Sequence, residues 1–249
     1  MQLNTIILNT FKESIRNRIL YNIFLFIFFL LLISLLVGNW SLGERVKIIK
    51  DFGMTAISIF GLLIAVFVGI RLMHAEKEHK TIYILLSKPL KRWKIIIGKY
   101  IGLSYTIAVM ILLMTVAFYI ILFVAGDFNW ILLIGIFLRL EEILIIVALS
   151  ILFSTYFSPL LSAVFTILFY FIGQLSSVLK IYVEKDFSIL FSIVYYIIPN
   201  LERFGNYDLF FRQNDISYLN ILTLSLYAFC YIAFILSVTV LIFNRTDFE

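Results

Sequence analysis

Six runs of about twenty apolar residues, near 19–38, 53–73, 98–125, 130–157, 159–179 and 217–243, leave this chain few ways to fold. A run of that length matches the helix needed to cross a hydrocarbon layer of roughly 30 Å, where every backbone N–H and C=O must find its partner within the segment. Composition fits that solvent, with 63% hydrophobic and 14% charged residues; soluble domains carry about a quarter charged. The expectation is an all-α membrane protein, a single transmembrane domain over 1–249 with six transmembrane helices. Its first run exceeds the roughly 7 to 15 apolar residues of a cleavable signal, so it is expected to stay in the mature protein.

Lys and Arg in the short connections set orientation, because cytoplasmic flanks carry their excess. With both termini inside, twelve basic residues face five acids on the cytoplasmic side, and eight face ten on the other. That asymmetry predicts an N-in/C-in topology. It also explains the net charge of +5 without nucleic acid, since the basic residues cluster at the ends of apolar runs and form no continuous stripe.

Two connections hold more than a turn. Before the first run, Leu3, Ile6, Ile7, Phe11 and Ile15 share one helical face, which predicts an interfacial helix over 1–17 lying on the inner leaflet; a frayed tail is the alternative. Between the fifth and sixth runs, 180–216 contains FSILFSIVYYII ahead of Pro199. Twelve apolar residues are too few to span, and runs of about 10 to 14 form re-entrant or interfacial pieces. Outer re-entrant helices are expected there, with Tyr195, Tyr196, Pro199 and Glu202 as their notable side chains, against the alternative of a small self-packed cap.

Little in the chain suggests chemistry of its own. His74 and His79 are five residues apart, about 140° around a helix, so they do not share a face as HExxH histidines do, and no metal site is expected. No G-x-x-x-x-G-K-[ST] loop or G-x-S-x-G elbow occurs, and the one cysteine, Cys230, lies in an apolar run. The chain is therefore expected to be no enzyme, and to bind no cofactor itself. Arg139, Glu141 and Glu142 interrupt the fourth run, and ionisable residues at membrane depth are candidates for substrate or gating roles. The bland alternative is an i,i+3 pair of Arg139 with Glu142 near the outer interface, with Glu141 reaching toward the headgroups. Gly98 and Gly102 open the third run and allow close helix approach.

The connector HAEKEHKTIYILLSKPLKRWKIIIGKY concentrates charge between the second and third runs. Within it Ile82, Leu85, Leu86 and Pro89 form an apolar i, i+3, i+4, i+7 stripe, preceded by charged residues. A short amphipathic helix so placed can transmit motion from a soluble partner to the spans it joins; positive-inside bias alone would also account for the charge.

Asp51-Phe52-Gly53, then Glu76, Glu78, Lys80, Thr81, Ile82, Leu85, Leu86, Lys88, Pro89 and Arg92, then Gly98-Lys99, Ser158-Pro159, Ile198-Pro199-Asn200-Leu201-Glu202 with Phe204, and a closing Phe243, Arg245, Asp247 and Phe248 succeed one another along nearly the whole chain. In that order they resemble the permease subunits of ABC type-two exporters, most of all the branch often encoded with copper-enzyme maturation proteins. The resemblance implies a multi-pass permease in the cytoplasmic (inner) membrane of a prokaryote. It further implies a second copy or homologous permease, and separate ABC ATPase subunits that bind ATP and Mg. In such permeases the connection matching 74–97 is a cytoplasmic coupling helix seated in the ATPase, here with Glu76, Glu78, Thr81, Leu85, Leu86 and Pro89 at the matching positions, and 180–216 matches the outer re-entrant region, where an accessory protein could dock. Two other readings of the chain stand beside it: a nucleotide-independent secondary transporter or channel, which should show a midplane polar constellation, and a sensory or assembly protein built on the permease fold.

Overall fold

In the computed structural model, the residues described are 2–16, 25–29, 32–33, 45–78, 92–126, 129–184, 195, 197–205 and 218–245. Among them the regular elements are helices: α1 (Gln2–Arg16), α2 (Arg45–Glu78), α3 (Arg92–Val124), α4 (Ile131–Tyr156), α5 (Pro159–Gln174), α6 (Ser176–Glu184), α7 (Glu202–Gly205) and α8 (Tyr218–Arg245). Three of these are long and apolar enough to cross a membrane, over Val46–Arg71, Trp93–Val124 and Leu219–Phe243. The bent pair α5–α6 makes a fourth if it is one span. Of the expected first span only short helical pieces at 25–29 and 32–33 fall within the described residues.

α4 is the axis of the bundle, packing against α2, α3, α5, α7 and α8. Its side chains explain why: Leu138, Ile145, Ile146, Val147, Ala148 and Ile151 are fully buried, so through its middle the helix is enclosed nearly all round, and it exposes large side chains only toward its ends, at Leu133, Phe137 and Tyr156. Ser150, Ser154 and Thr155 turn their hydroxyls back onto carbonyls three residues earlier, which satisfies them inside the core. α2 comes close at Gly69, where a Cβ would collide with Ser150. The outward faces of α3, α5 and α8 are apolar instead, with Val124, Leu160, Leu219 and Phe229 well exposed, as lipid contact requires.

Local chemistry sets the ends of α4. α3 stops at a left-handed Gly126, φ 81°, and Asn129 Oδ1 then accepts the Ile131 N–H at 2.9 Å to start the next helix. Ser158 is extended ahead of Pro159, which opens α5 at its first turn and so forces a corner after Tyr156.

Three expectations need adjusting. The second and third helices run past their expected ends, α2 through Glu78 and α3 from Arg92, so both edges of the 74–97 connection are helical and only 79–91 lies outside the described residues. The fifth span expected over 159–179 is broken at Leu175, with a bend of 67° between α5 and α6. Finally, α1 is a helix as expected, but it packs along α3 and buries Thr10 and Ser14 rather than only its apolar stripe. Gly102 makes the room for Thr10, since a Cβ there would lie 2.7 Å from Thr10 Cβ and 2.9 Å from the Ile7 carbonyl.

Candidate functional site

On α4 each residue advances about 100°, so Arg139 and Glu142 share a face while Glu141 points away from it. That geometry divides the three charged residues between two different sites.

On the first face, Arg139 Nη1 donates to Glu142 Oε2 at 2.8 Å, and the Gln174 side-chain amide donates to Glu142 Oε1. Glu142 is 1% exposed and Arg139 14%. A carboxylate so buried is tolerable because both oxygens are occupied and its countercharge sits on the same helix. Arg139 Nη2 also reaches the Gly205 carbonyl at 3.4 Å, a weak bond across sixty-six residues of sequence. Gln174 is the last residue of α5, so the ion pair grips the bundle at the break before α6.

The segment 197–205 inserts against this pair. Leu201 and Phe204 are fully buried, and Pro199 is buried with them. Each side of the segment is tied by polar bonds to a different helix. The Leu201 N–H donates to the Gly173 carbonyl at 3.1 Å, the Asn200 N–H donates to the Tyr227 hydroxyl at 3.0 Å, and the Tyr231 hydroxyl donates to the Ile197 carbonyl. Ser176 Oγ donates to Asn200 Oδ1 at 2.6 Å, and Glu202 Oε2 accepts the Ser177 N–H at 2.7 Å. That carboxylate therefore sits on the N-terminus of α6, where unpaired amides and the helix dipole favour negative charge. Two glycines admit the segment. A Cβ on Gly173 would lie 2.7 Å from the Pro199 carbonyl, and one on Gly205 would lie 2.9 Å from Arg139 Nη2.

On the opposite side of α4, Glu141 lines an apolar groove of about 820 Å³ between α3, α4 and α8. Its Oε2 is buried and has no hydrogen-bond partner among the described residues. Ser225 of α8 is its polar neighbour, and the remaining wall is almost wholly hydrocarbon and aromatic.

The structure thus joins two sets of residues that sequence treats separately: Arg139 and Glu142 of the fourth run, and Pro199 and Glu202 of the connection beyond the fifth. Tyr195 lies half-buried beside Tyr227 in the same region, and Tyr196 lies outside the described residues. Gln174, Ser176, Tyr227 and Tyr231 join this site without having stood out in the sequence, whereas Asn200 belongs to the Ile198–Glu202 motif. Only Gln174 carries a signal, as the lone amide in an apolar run. Glu76 and Glu78 end α2, while Thr81, Ile82, Leu85, Leu86 and Pro89 fall outside the described residues. Among the described residues, no three His, Cys, Asp or Glu side chains converge on a point that would hold a metal ion.

With this geometry in hand, comparison with known families gives one assignment: the family model described as ABC-2 family transporter protein matches residues 4–248. No curated protein matches the chain.

Proposed function

Because this chain belongs to the ABC-2 family of transporter proteins, we propose that it is the six-span permease of an exporter powered by ATP and Mg bound on separate subunits. The family makes it a multi-pass membrane permease whose partner is an ABC ATPase. The observation that carries the fuller reading is the extent of the match, which runs through every expected span and both polar regions rather than through one segment. The order of the motifs favours the branch that accompanies copper-enzyme maturation, and a prokaryotic inner membrane with both termini inside.

In this reading the 74–97 connection seats in the ATPase through Glu76, Glu78, Thr81, Ile82, Leu85, Leu86 and Pro89. ATP binding draws the cytoplasmic ends of α2 and α3 together. α2 is one helix of 34 residues, about 51 Å long, and so acts as a rod that carries displacement to its far end. The 197–205 segment serves as an outer gate, held shut by its bonds to α4, α5, α6 and α8. A second copy or a homologous permease completes the pathway, lipid surrounds it, and an accessory protein has the 180–216 region to dock on.

Co-expression with the cognate ABC ATPase tests the reading. A complex that survives detergent extraction and ATP-dependent movement of cargo in inverted vesicles are expected. Glu78→Lys and Leu85→Asn should abolish transport while leaving the permease inserted. If both variants keep assembly and transport intact, the coupling assignment is wrong; if no ATPase is retained by the native chain, the exporter reading goes with it.

A further inference from the structure

The groove between α3, α4 and α8 has one acid in an otherwise apolar wall, and three features say what it suits. Its volume of about 820 Å³ lies within the roughly 300 to 1,000 Å³ of small-molecule sites. Its wall along α8 runs from Ser225 to Leu241, about 24 Å of helix, so it is a track rather than a round pocket. Its two ends differ in charge. Glu141 and Ser225 stand at one end, whereas Trp93 at the other lies under Lys94, whose Nζ is 5.8 Å from the indole centroid.

Glu141 differs from the other acid of α4 in lacking a cation among the described residues. Arg139 is turned toward Glu142 and Gly205 on the far face, and Glu141 Oε2 is buried with no hydrogen bond from any of those residues. A carboxylate in surroundings of low polarity attracts a countercharge far more strongly than one in water. Apart from the indole N–H of Trp93 at the far end, the wall offers it only hydroxyls, and that of Ser237 is already spent on the Ala233 carbonyl. A cation with an apolar body would satisfy the acid and fill the track at once. Lys94 fixes its direction, head at Glu141 and tail toward Trp93.

We propose that this groove binds lipophilic cations, amphiphiles with an ammonium head and an extended apolar tail, with Glu141 as the counter-ion. The inference deepens the exporter reading by naming a ligand class, and it rests on that reading only for the transport of a ligand once bound. Ser225 assists at the head, and the tail lies along Ile97, Tyr100, Phe229 and Ile232.

The test is fluorescence titration of the purified full chain in zwitterionic nanodiscs, with no ATPase present. The probes are a fluorophore-tagged dodecyl trimethylammonium and the uncharged dodecyl alcohol bearing the same fluorophore. Glu141→Gln should weaken the cation roughly tenfold or more and leave the neutral probe unchanged, a loss of about 1.4 kcal/mol for each factor of ten. Glu141→Asp should keep most of the cation's advantage, and Ala233→Trp, which fills the groove from α8, should lose both probes. Equal affinity of the native chain for the two probes, or equal losses of both in Glu141→Gln, would overturn the proposal in favour of a groove that holds only acyl chains. A chain that binds the cation through Glu141 but never transports it counts against the exporter reading alone. One that transports cargo without Glu141-dependent binding counts against the site alone.

Discussion

Glu141 and Glu142 are neighbours on one helix, yet they occupy opposite kinds of environment. Glu142 is enclosed by Arg139, Gln174 and the α5–α6 break, and both of its oxygens are bonded. Glu141 faces a groove of hydrocarbon, with one oxygen buried and unpartnered among the described residues. The difference arises from a single step of about 100° around α4. It teaches that charge inside an apolar bundle has two uses: a satisfied carboxylate fastens elements together, and an unsatisfied one is available to something from outside.

The largest effect is expected at Arg139. Arg139→Ala leaves Glu142 buried without its countercharge, and removing one partner of a buried pair costs about 3–5 kcal/mol. Detergent-solubilised protein should then show a large fall in melting temperature by size-exclusion thermal assay, or little folded protein at all. Replacing both residues, as Arg139→Met with Glu142→Met, should recover most of that loss, because no lone charge remains. If the double variant is as unstable as the single, the pair does more than neutralise itself.

Next in size is the seat of the 197–205 segment. Gly173→Ala brings a Cβ to 2.7 Å from the Pro199 carbonyl, and overpacking of this kind costs about 1–3 kcal/mol. The backbone there must move, so a cysteine-labelling probe on the segment should become more reactive in Gly173→Ala than in the native chain. Unchanged labelling would mean that α5 and the segment are not packed as closely as the Gly173 geometry requires. Tyr227→Phe is milder: it strips the acceptor from the Asn200 N–H, and because Asn200 is only half-buried the loss is about 1 kcal/mol. Its melting shift should be smaller than that of Arg139→Ala and confined to a chain that still assembles.

How much of this was legible in the sequence depends on the distance over which each contact is made. The i,i+3 spacing of Arg139 and Glu142 foretells their pairing, and apolar length foretells α2, α3 and α8, because both are local properties of a helix. The partners that make the pair a site come from afar: Gln174 lies 32 residues beyond Glu142, and Gly205 lies 66 beyond Arg139. No periodicity in one segment reports such contacts. The break at Leu175 was equally hidden, since PLLSAVFTILFYFIGQLSSVLK reads as one apolar run. What bends it is the segment 197–205 packed on Gly173 together with Glu202 on the N-terminus of α6, both supplied after the run ends. On α1 the apolar stripe was visible, but Thr10 was not recognisable as buried because the space for it is made by Gly102 on another helix.

The smallest expected effect belongs to Glu141 itself. Glu141→Gln keeps the shape of the side chain and removes its charge, and because its polar neighbour Ser225 is uncharged and can bond an amide as well as a carboxylate, the bundle loses little by the change. Stability should stay within about 0.5 kcal/mol of the native chain, or rise, since an unmatched polar group in a buried setting is itself a cost. Glu142→Gln, an identical chemical change one residue along, gives up a charged bond to Arg139 and strands that guanidinium, and should fall by several times as much, about 2–4 kcal/mol. Measuring both melting temperatures side by side cancels whatever glutamine itself contributes on this helix. If Glu141→Gln falls as far as Glu142→Gln, then Glu141 also fastens the bundle, and the two faces of α4 are not divided between holding and receiving.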